Sequence, residues 1–268
     1  MIVSIPKYHM VYEPFRPVPS QEKDRYGLTW NNYIRVGQDS SKRSEYVKRV
    51  LSGRELSTRT LSRREFQPLR LLQLQGLLVK SINANMMLSW MCSQFGVKGI
   101  LLVRHPCAVV ASQLLGGGWE WADRLKVAIP VEVFEDYPHL VPIYEDLSSP
   151  EENLAFEWAV ETYVPFQQNG SWLLTTYERL VSQGREELNR IFEYLGREVP
   201  DTAIARIEQE SASGSSFDRK NNLLSDWKNR LDNEQIDKIL GVVRRVGVKS
   251  YNSELHPDYD KMPIGGDQ

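Results

Sequence analysis

Short apolar runs alternate along this chain with stretches whose apolar positions recur at helical spacing. Val11, Tyr12 and Phe15 predict a short strand stopped by Pro14 and Pro17, because proline removes a ladder donor. Leu77 to Lys80 predicts a buried strand. The helix after it carries Met87, Trp90, Met91 and Phe95 on one face and stops at Gly96. Ile100 to Val103 begins a second copy of this unit, with a helix opening at Pro106 and continuing through Val109, Val110 and Leu114. Trp172 to Thr176 predicts another buried strand. Leu188, Ile191, Phe192 and Leu195 then recur at i, i+3, i+4 and i+7 before Gly196.

The intervening segments are read from their punctuation. Tyr46, Val47, Val50 and Leu51 centre a helix that Gly53 ends within an otherwise polar stretch, residues 18–68. Gly116, Gly117 and Gly118 interrupt the pattern, and residues 116–148 read as a long excursion rich in Trp, Tyr and Pro. Ser149-Pro150-Glu151-Glu152 carries a capping serine, a first-turn proline and the reciprocal glutamate of a helix start, and Leu154, Trp158 and Phe166 follow. A further helix is expected around Ile204 and Ile207, and a Ser/Gly-rich loop over Ser211 to Ser216. The last helix begins at Asp232 with Gln235 in the reciprocal position, buries Ile236, Ile239, Leu240 and Val243, and stops at Gly247. Consecutive strand–helix units predict an α/β fold with parallel strands. One domain is expected over residues 1–255, with a loose tail over 256–268.

Composition narrows the classes. At 268 residues and 41% apolar content the chain has material for one sizeable core. A formal charge of −2 argues against a generic nucleic-acid binder. No stretch is long and apolar enough to predict a membrane span, and the first ten residues lack the pattern of a signal peptide. Cys92 and Cys107 give neither a disulfide framework nor zinc spacing, so reduced, buried thiols in a cytoplasmic protein are expected. His9, His105, His139 and His256 form no ligand cluster, so no metal is expected, and His105 is read as a helix cap. Nine Lys/Arg lie between Lys42 and Arg70, opposed by Glu45, Glu55 and Glu65. They are either a solvated helical face or a positive rim for an anionic ligand.

The densest chemistry lies at residues 100–112. An apolar run ends in Arg104, and Pro106 opens a helix that carries Ser112. A guanidinium at a strand-to-helix junction suits an anion. The helix start is expected to add unpaired N–H groups and the positive end of its dipole.

Arg104 with Ser112 eight positions later resembles the 3′-phosphate-binding segment of sulfotransferases that use PAPS (3′-phosphoadenosine 5′-phosphosulfate). Other segments resemble the same family in the same order. They are Val11-Tyr12-Glu13-Pro14-Phe15, Leu78-Val79-Lys80-Ser81, Thr175-Thr176-Tyr177-Glu178-Arg179-Leu180, and Asp226-Trp227-Lys228 after Arg219-Lys220. The resemblance implies a three-layer α/β sandwich of the P-loop nucleotide hydrolase-like type, built on a parallel central sheet. It implies sulfuryl transfer from PAPS to a hydroxyl or amine acceptor, a small molecule or a carbohydrate. A non-catalytic nucleotide-binding relative, or an interaction module derived from a sulfotransferase, is the alternative. The family's basic Ser/Gly-rich loop for the 5′-phosphosulfate has no counterpart in Met1 to Met10, so either the sequence starts after that loop or the domain lacks its first βα unit.

Roles follow from the same resemblance. Arg104 and Ser112 would hold the 3′-phosphate and Lys80 the leaving group, unless Lys80 is an ordinary lysine at a strand end. Ile82 stands where some members have a catalytic histidine, so Glu13 becomes the candidate base, or else a residue that only turns the chain. Tyr177 would lie near the adenine or in the core. Arg219 and Lys220 would close over the 3′-phosphate or form a surface charge pair. Trp119 and Trp121 would stack on an acceptor or anchor the core.

Overall fold

The computed structural model describes residues 8–17, 26–38, 41–54, 76–116, 118–123, 125–168, 170–205 and 222–263. Four strands and ten helices can be named among them. Strand β1 (Tyr8–Tyr12) pairs in parallel with β2 (Gly76–Lys80), and β3 (Gly99–Val103) pairs in parallel with β4 (Trp172–Thr176). The chain is therefore α/β. Among the described residues the ladders form two two-stranded sheets, and no ladder joins β2 to β3. Parallel partners need long crossovers. Helix α1 (Ser41–Leu51) lies in the first of them. The second holds α3 (Pro106–Leu115), α4 (Val131–Asp136), α5 (Leu140–Asp146) and α6 (Pro150–Gln167).

Several helix ends form as their residues dictate. Helix α2 (Leu88–Phe95) ends on Gly96 in the left-handed conformation at φ 62°. Ser149 and Glu152 close a reciprocal cap at the start of α6, and Asp232 and Gln235 do so for α10 (Asn233–Val246). Helices α7 (Tyr177–Ser182) and α8 (Gly184–Leu195) follow β4, and α9 (Trp227–Arg230) precedes α10. Helix α6 is buried over most of its length and packs against α10 and α3, which places it at the centre of the main core. Residues 116–148 do not form a single loop. They hold a 3-10 turn at Glu120–Asp123 together with α4 and α5. Trp119 packs against the core, while the side chain of Trp121 lies outside the described residues.

Two expectations change. β2 and β3 are not buried throughout: Leu77, Leu78 and Val79 are half-buried, and Leu102 is 54% exposed between Leu101 and Val103. β4 also has a single ladder partner among the described residues and is buried throughout, so the exposure of β2 and β3 reflects what covers their faces. Residues 256–263, read from sequence as a loose tail, are tied to the body. The Asp258 N–H donates to the Ser250 carbonyl at 2.7 Å, and the Arg179 guanidinium lies 4.2 Å from the centre of the Tyr259 ring. Ile207, the loop Ser211 to Ser216, Arg219 and Lys220 lie outside the described residues.

Candidate functional site

All four strands present candidate residues at their carboxyl ends, where parallel sheets bind ligands. Tyr12 and Lys80 are register partners at the ends of β1 and β2, and Glu13 is the next residue. Val103 and Thr176 are register partners at the ends of β3 and β4, and Arg104 and Tyr177 follow them.

At the first pair of ends, Lys80 Nζ forms an ion pair with Glu13 Oε1, and the Ile82 N–H donates to Glu13 Oε2 at 3.0 Å. The Glu13 N–H donates to the Lys80 carbonyl at 2.7 Å. These bonds hold Glu13 at φ 48°, a left-handed conformation that costs a residue with a Cβ about 1 kcal/mol or more. Its side chain is 8% exposed, against 43% for Lys80. The ammonium also lies 4.7 Å from the Tyr12 ring centre. Glu13 and Lys80 therefore meet, as one bonded unit.

At the second pair, the Arg104 guanidinium lies over the Tyr177 ring, 4.4 Å from its centre. Both residues are half-buried, and among the described residues no carboxylate pairs with Arg104. Ser112 is exposed, two turns into α3. The start of α3 differs from expectation. His105 N–H donates to Glu178 Oε1 at 2.8 Å, Cys107 N–H donates to His105 Nδ1, and the N–H groups of Ala108 and Val109 donate to the His105 carbonyl. The donors predicted for an outside anion are thus taken, and a carboxylate of the chain itself, Glu178, already stands at this positive helix end. Charge for a ligand here must come from Arg104. His105 caps α3 as read; it stacks on Trp227 at 4.5 Å and 14°, and burial lowers it to about 4. Trp227, part of the resemblance to a nucleotide loop, is a core residue at 2% exposure.

Helix α6 brings the two ends together. Trp158 Nε1 donates to the Arg104 carbonyl at 3.1 Å. On the neighbouring turn, burial raises Glu161 well above the usual carboxylate range, helped by the charges of Glu157 and Glu13. Residues 158 and 161 are separated by about 4.5 Å of helix rise. This part of α6 thus touches the Arg104 backbone and places the Glu161 carboxyl within electrostatic reach of Glu13. Glu157, also raised by burial, accepts from Asn31 Nδ2 at 3.1 Å. Asn31 is held in turn by a loop anchored on α4, where Arg35 Nε donates to Asp136 at 2.7 Å. Sequence reasoning passed over Glu157, Glu161 and Asn31. The available signal was two glutamates four apart within the largely apolar run from Leu154 to Phe166.

Among the described residues no group of three or more His, Cys, Asp or Glu is placed to hold a metal ion, and no helix is long and apolar enough to cross a membrane. Comparison of the chain with protein-family models, curated proteins and solved structures finds no match.

Proposed function

We propose that the chain is a cytoplasmic PAPS-dependent sulfotransferase on a three-layer, P-loop nucleotide hydrolase-like sandwich. The observation that supports this most is the Arg104 guanidinium. It sits at the end of β3, over the ring of Tyr177 from the end of β4, and among the described residues no carboxylate forms an ion pair with it, Glu178 acting on it only through the electrostatic field. A planar guanidinium matches phosphate oxygens in pairs. Arg104 takes the 3′-phosphate of the nucleotide, and the exposed Ser112 hydroxyl adds a donor. Lys80 donates to the bridging oxygen, where charge grows as the S–O bond to the phosphate breaks. Glu13 accepts the acceptor hydroxyl's proton as the new O–S bond forms. Ligand binding must open the Glu13–Lys80 pair, which frees an acid and a base at adjacent positions. Arg219 and Lys220, the remaining nucleotide candidates, lie outside the described residues.

The second reading is a nucleotide-binding protein without turnover, and the closed Glu13–Lys80 pair favours it. Calorimetry with adenosine 3′,5′-bisphosphate and transfer of labelled sulfate from PAPS separate the two. The enzyme reading expects binding that Arg104→Ala weakens at least tenfold, and turnover that Lys80→Met abolishes while binding persists. Binding without turnover selects the second reading. Equal binding by wild type and Arg104→Ala removes both.

A further inference from the structure

After α10 the chain turns back across the carboxyl ends of β3 and β4. Tyr251 is 5% exposed and sets its ring edge-on to two others, His105 at 5.4 Å and 87° and Trp158 at 5.4 Å and 84°. These two residues flank the Arg104 backbone. His105 follows it in the chain, and Trp158 Nε1 donates to its carbonyl at 3.1 Å. Asn252 then takes the imidazole. His105 Nδ1 accepts from Cys107, so Nε2 carries the proton and donates to the Asn252 carbonyl at 2.9 Å. Asn252 is itself pinned, since its Oδ1 accepts from the Glu254 N–H at 2.7 Å. Farther on, the Asp258 N–H returns to the Ser250 carbonyl at 2.7 Å, and Tyr259 reaches the other strand. Its hydroxyl lies 3.5 Å from Thr176 Oγ1 at the end of β4, and its ring centre lies 4.2 Å from the Arg179 guanidinium.

Residues 251–259 are thus fastened at one end to the residue after Arg104 and at the other to the residue before Tyr177. The β3–β4 ladder sets the spacing of the two strands as far as Val103 and Thr176. Beyond that point Arg104 and Tyr177 leave the sheet, and the contact between guanidinium and ring is no longer fixed by it. Two ties span the interval, the bond from His105 to Glu178 and this segment. A site that must grip a phosphate needs its side chains held by their neighbours, because a small loosening costs affinity. We propose that residues 251–259 brace the Arg104–Tyr177 pair for the nucleotide's 3′-phosphate, with Tyr251 as a positioning residue for Arg104 and Tyr259 for Tyr177. The inference rests on the nucleotide reading of Arg104. Neither tyrosine touches the ligand: Tyr251 acts through His105 and Trp158, and Tyr259 through Thr176. Tyr251 acts by its ring, because its hydroxyl has no hydrogen-bond partner among the described residues, with the Glu178 carboxyl beside it.

The test is calorimetry on the full chain with adenosine 3′,5′-bisphosphate and with adenosine 5′-monophosphate, which lacks the group assigned to Arg104. Tyr251→Leu should weaken the bisphosphate about fivefold and leave the monophosphate unchanged. In an Arg104→Ala background the same substitution should have no further effect, because two changes acting on one contact do not add. Tyr251→Phe keeps the ring and should bind as the wild type does. Tyr259→Ala, at a half-buried position, should weaken the bisphosphate about threefold with the same dependence on Arg104. Thermal unfolding establishes that each variant is folded, and Tyr259→Ala carries the test if Tyr251→Leu is not. A loss equal for the two nucleotides, or equal with and without Arg104, overturns the brace. So does bisphosphate binding that both tyrosine variants retain while Arg104→Ala weakens it, or a Tyr251→Phe variant as weak as Tyr251→Leu. Absence of bisphosphate binding by the wild type, or binding that Arg104→Ala leaves unchanged, removes the nucleotide reading and the brace with it.

Discussion

Acidification should destabilise this protein through a single imidazole. His105 is 1% exposed, stacked on Trp227 and edge-on to Tyr251, with Nε2 against the Asn252 carbonyl at 2.9 Å and Nδ1 accepting from Cys107. A proton on Nδ1 would remove that acceptor and place a charge in the core. Burial is the main cause of its low proton affinity, and the positive charges of Lys228 and Arg104 add to it, so it titrates at about 4 in place of 6.5. The unfolded chain therefore takes up a proton near 6.5 and the folded chain only near 4. Above both values the group contributes no pH dependence. As pH falls through 6.5 the unfolded state binds more protons, and stability drops until the folded form also protonates. The full loss below 4 is about 3 kcal/mol, and about 2 kcal/mol is lost between pH 8 and pH 5.

Other groups titrate in this window, and some act with the opposite sign. Glu157, Glu161 and Glu178 are raised by burial, so they favour the fold at low pH. A difference measurement cancels them. His105→Asn keeps a short acceptor at the cap position and removes the titration. It also loses the stacking on Trp227, which lowers stability equally at every pH. Urea unfolding of wild type and variant at pH 8, 6.5 and 5 should show the gap between them narrowing by about 2 kcal/mol toward acid. Parallel stability curves across that range would refute the claim that a neutral imidazole is built into this core.

The helix caps give independent checks. Ser149→Ala or Asp232→Ala should each cost about 1 kcal/mol in urea unfolding, because each removes the acceptor of a reciprocal cap. At Gly99 an added Cβ would lie 2.5 Å from Cys92 Sγ and 2.9 Å from Leu88 Cδ1, where α2 packs on β3, so Gly99→Ala should cost about 1–3 kcal/mol. Glu161 is raised in the fold, so the stability it contributes is present below its unfolded value and lost as pH rises through the folded one. Glu161→Gln should therefore raise the Tm at pH 8 and change it little at pH 4, and a variant less stable than wild type at pH 8 would contradict the assignment.

What the sequence made legible is what neighbours in the chain determine. Trp172–Thr176 forms a strand over the range read from its apolar run, and both reciprocal caps form at the residues that signal them, because a cap is satisfied within four residues. Gly96, Gly196 and Gly247 stop their helices in the left-handed conformation. Burial of β2 and β3 was overestimated, because an apolar run does not reveal how many layers cover it. The tie of residues 256–263 to Ser250 and Arg179 carried no local signal either. The hydrogen bond from His105 to Glu178 spans 73 positions, and no reading of residues 100–112 by themselves could show that the helix start is closed from within.

That closure changes where the positive charge of the site must come from. A strand-to-helix junction ordinarily offers an anion two things, the helix end and a basic side chain. Here Glu178 has taken the first, and in doing so it fixes the backbone of His105, the residue next to Arg104. Trp158 fixes the Arg104 carbonyl with a hydrogen bond of its own. Tyr177 then places its ring under the guanidinium. The carboxylate that removes the helix end as a binding group thus helps to hold the arginine in place. The same turn of α6 that supplies Trp158 carries Glu161 toward Glu13. A substitution at Trp158 should therefore be read out first at Arg104, whereas one at Glu161 changes the charge felt at Glu13, so variants on this helix report on both halves of the site.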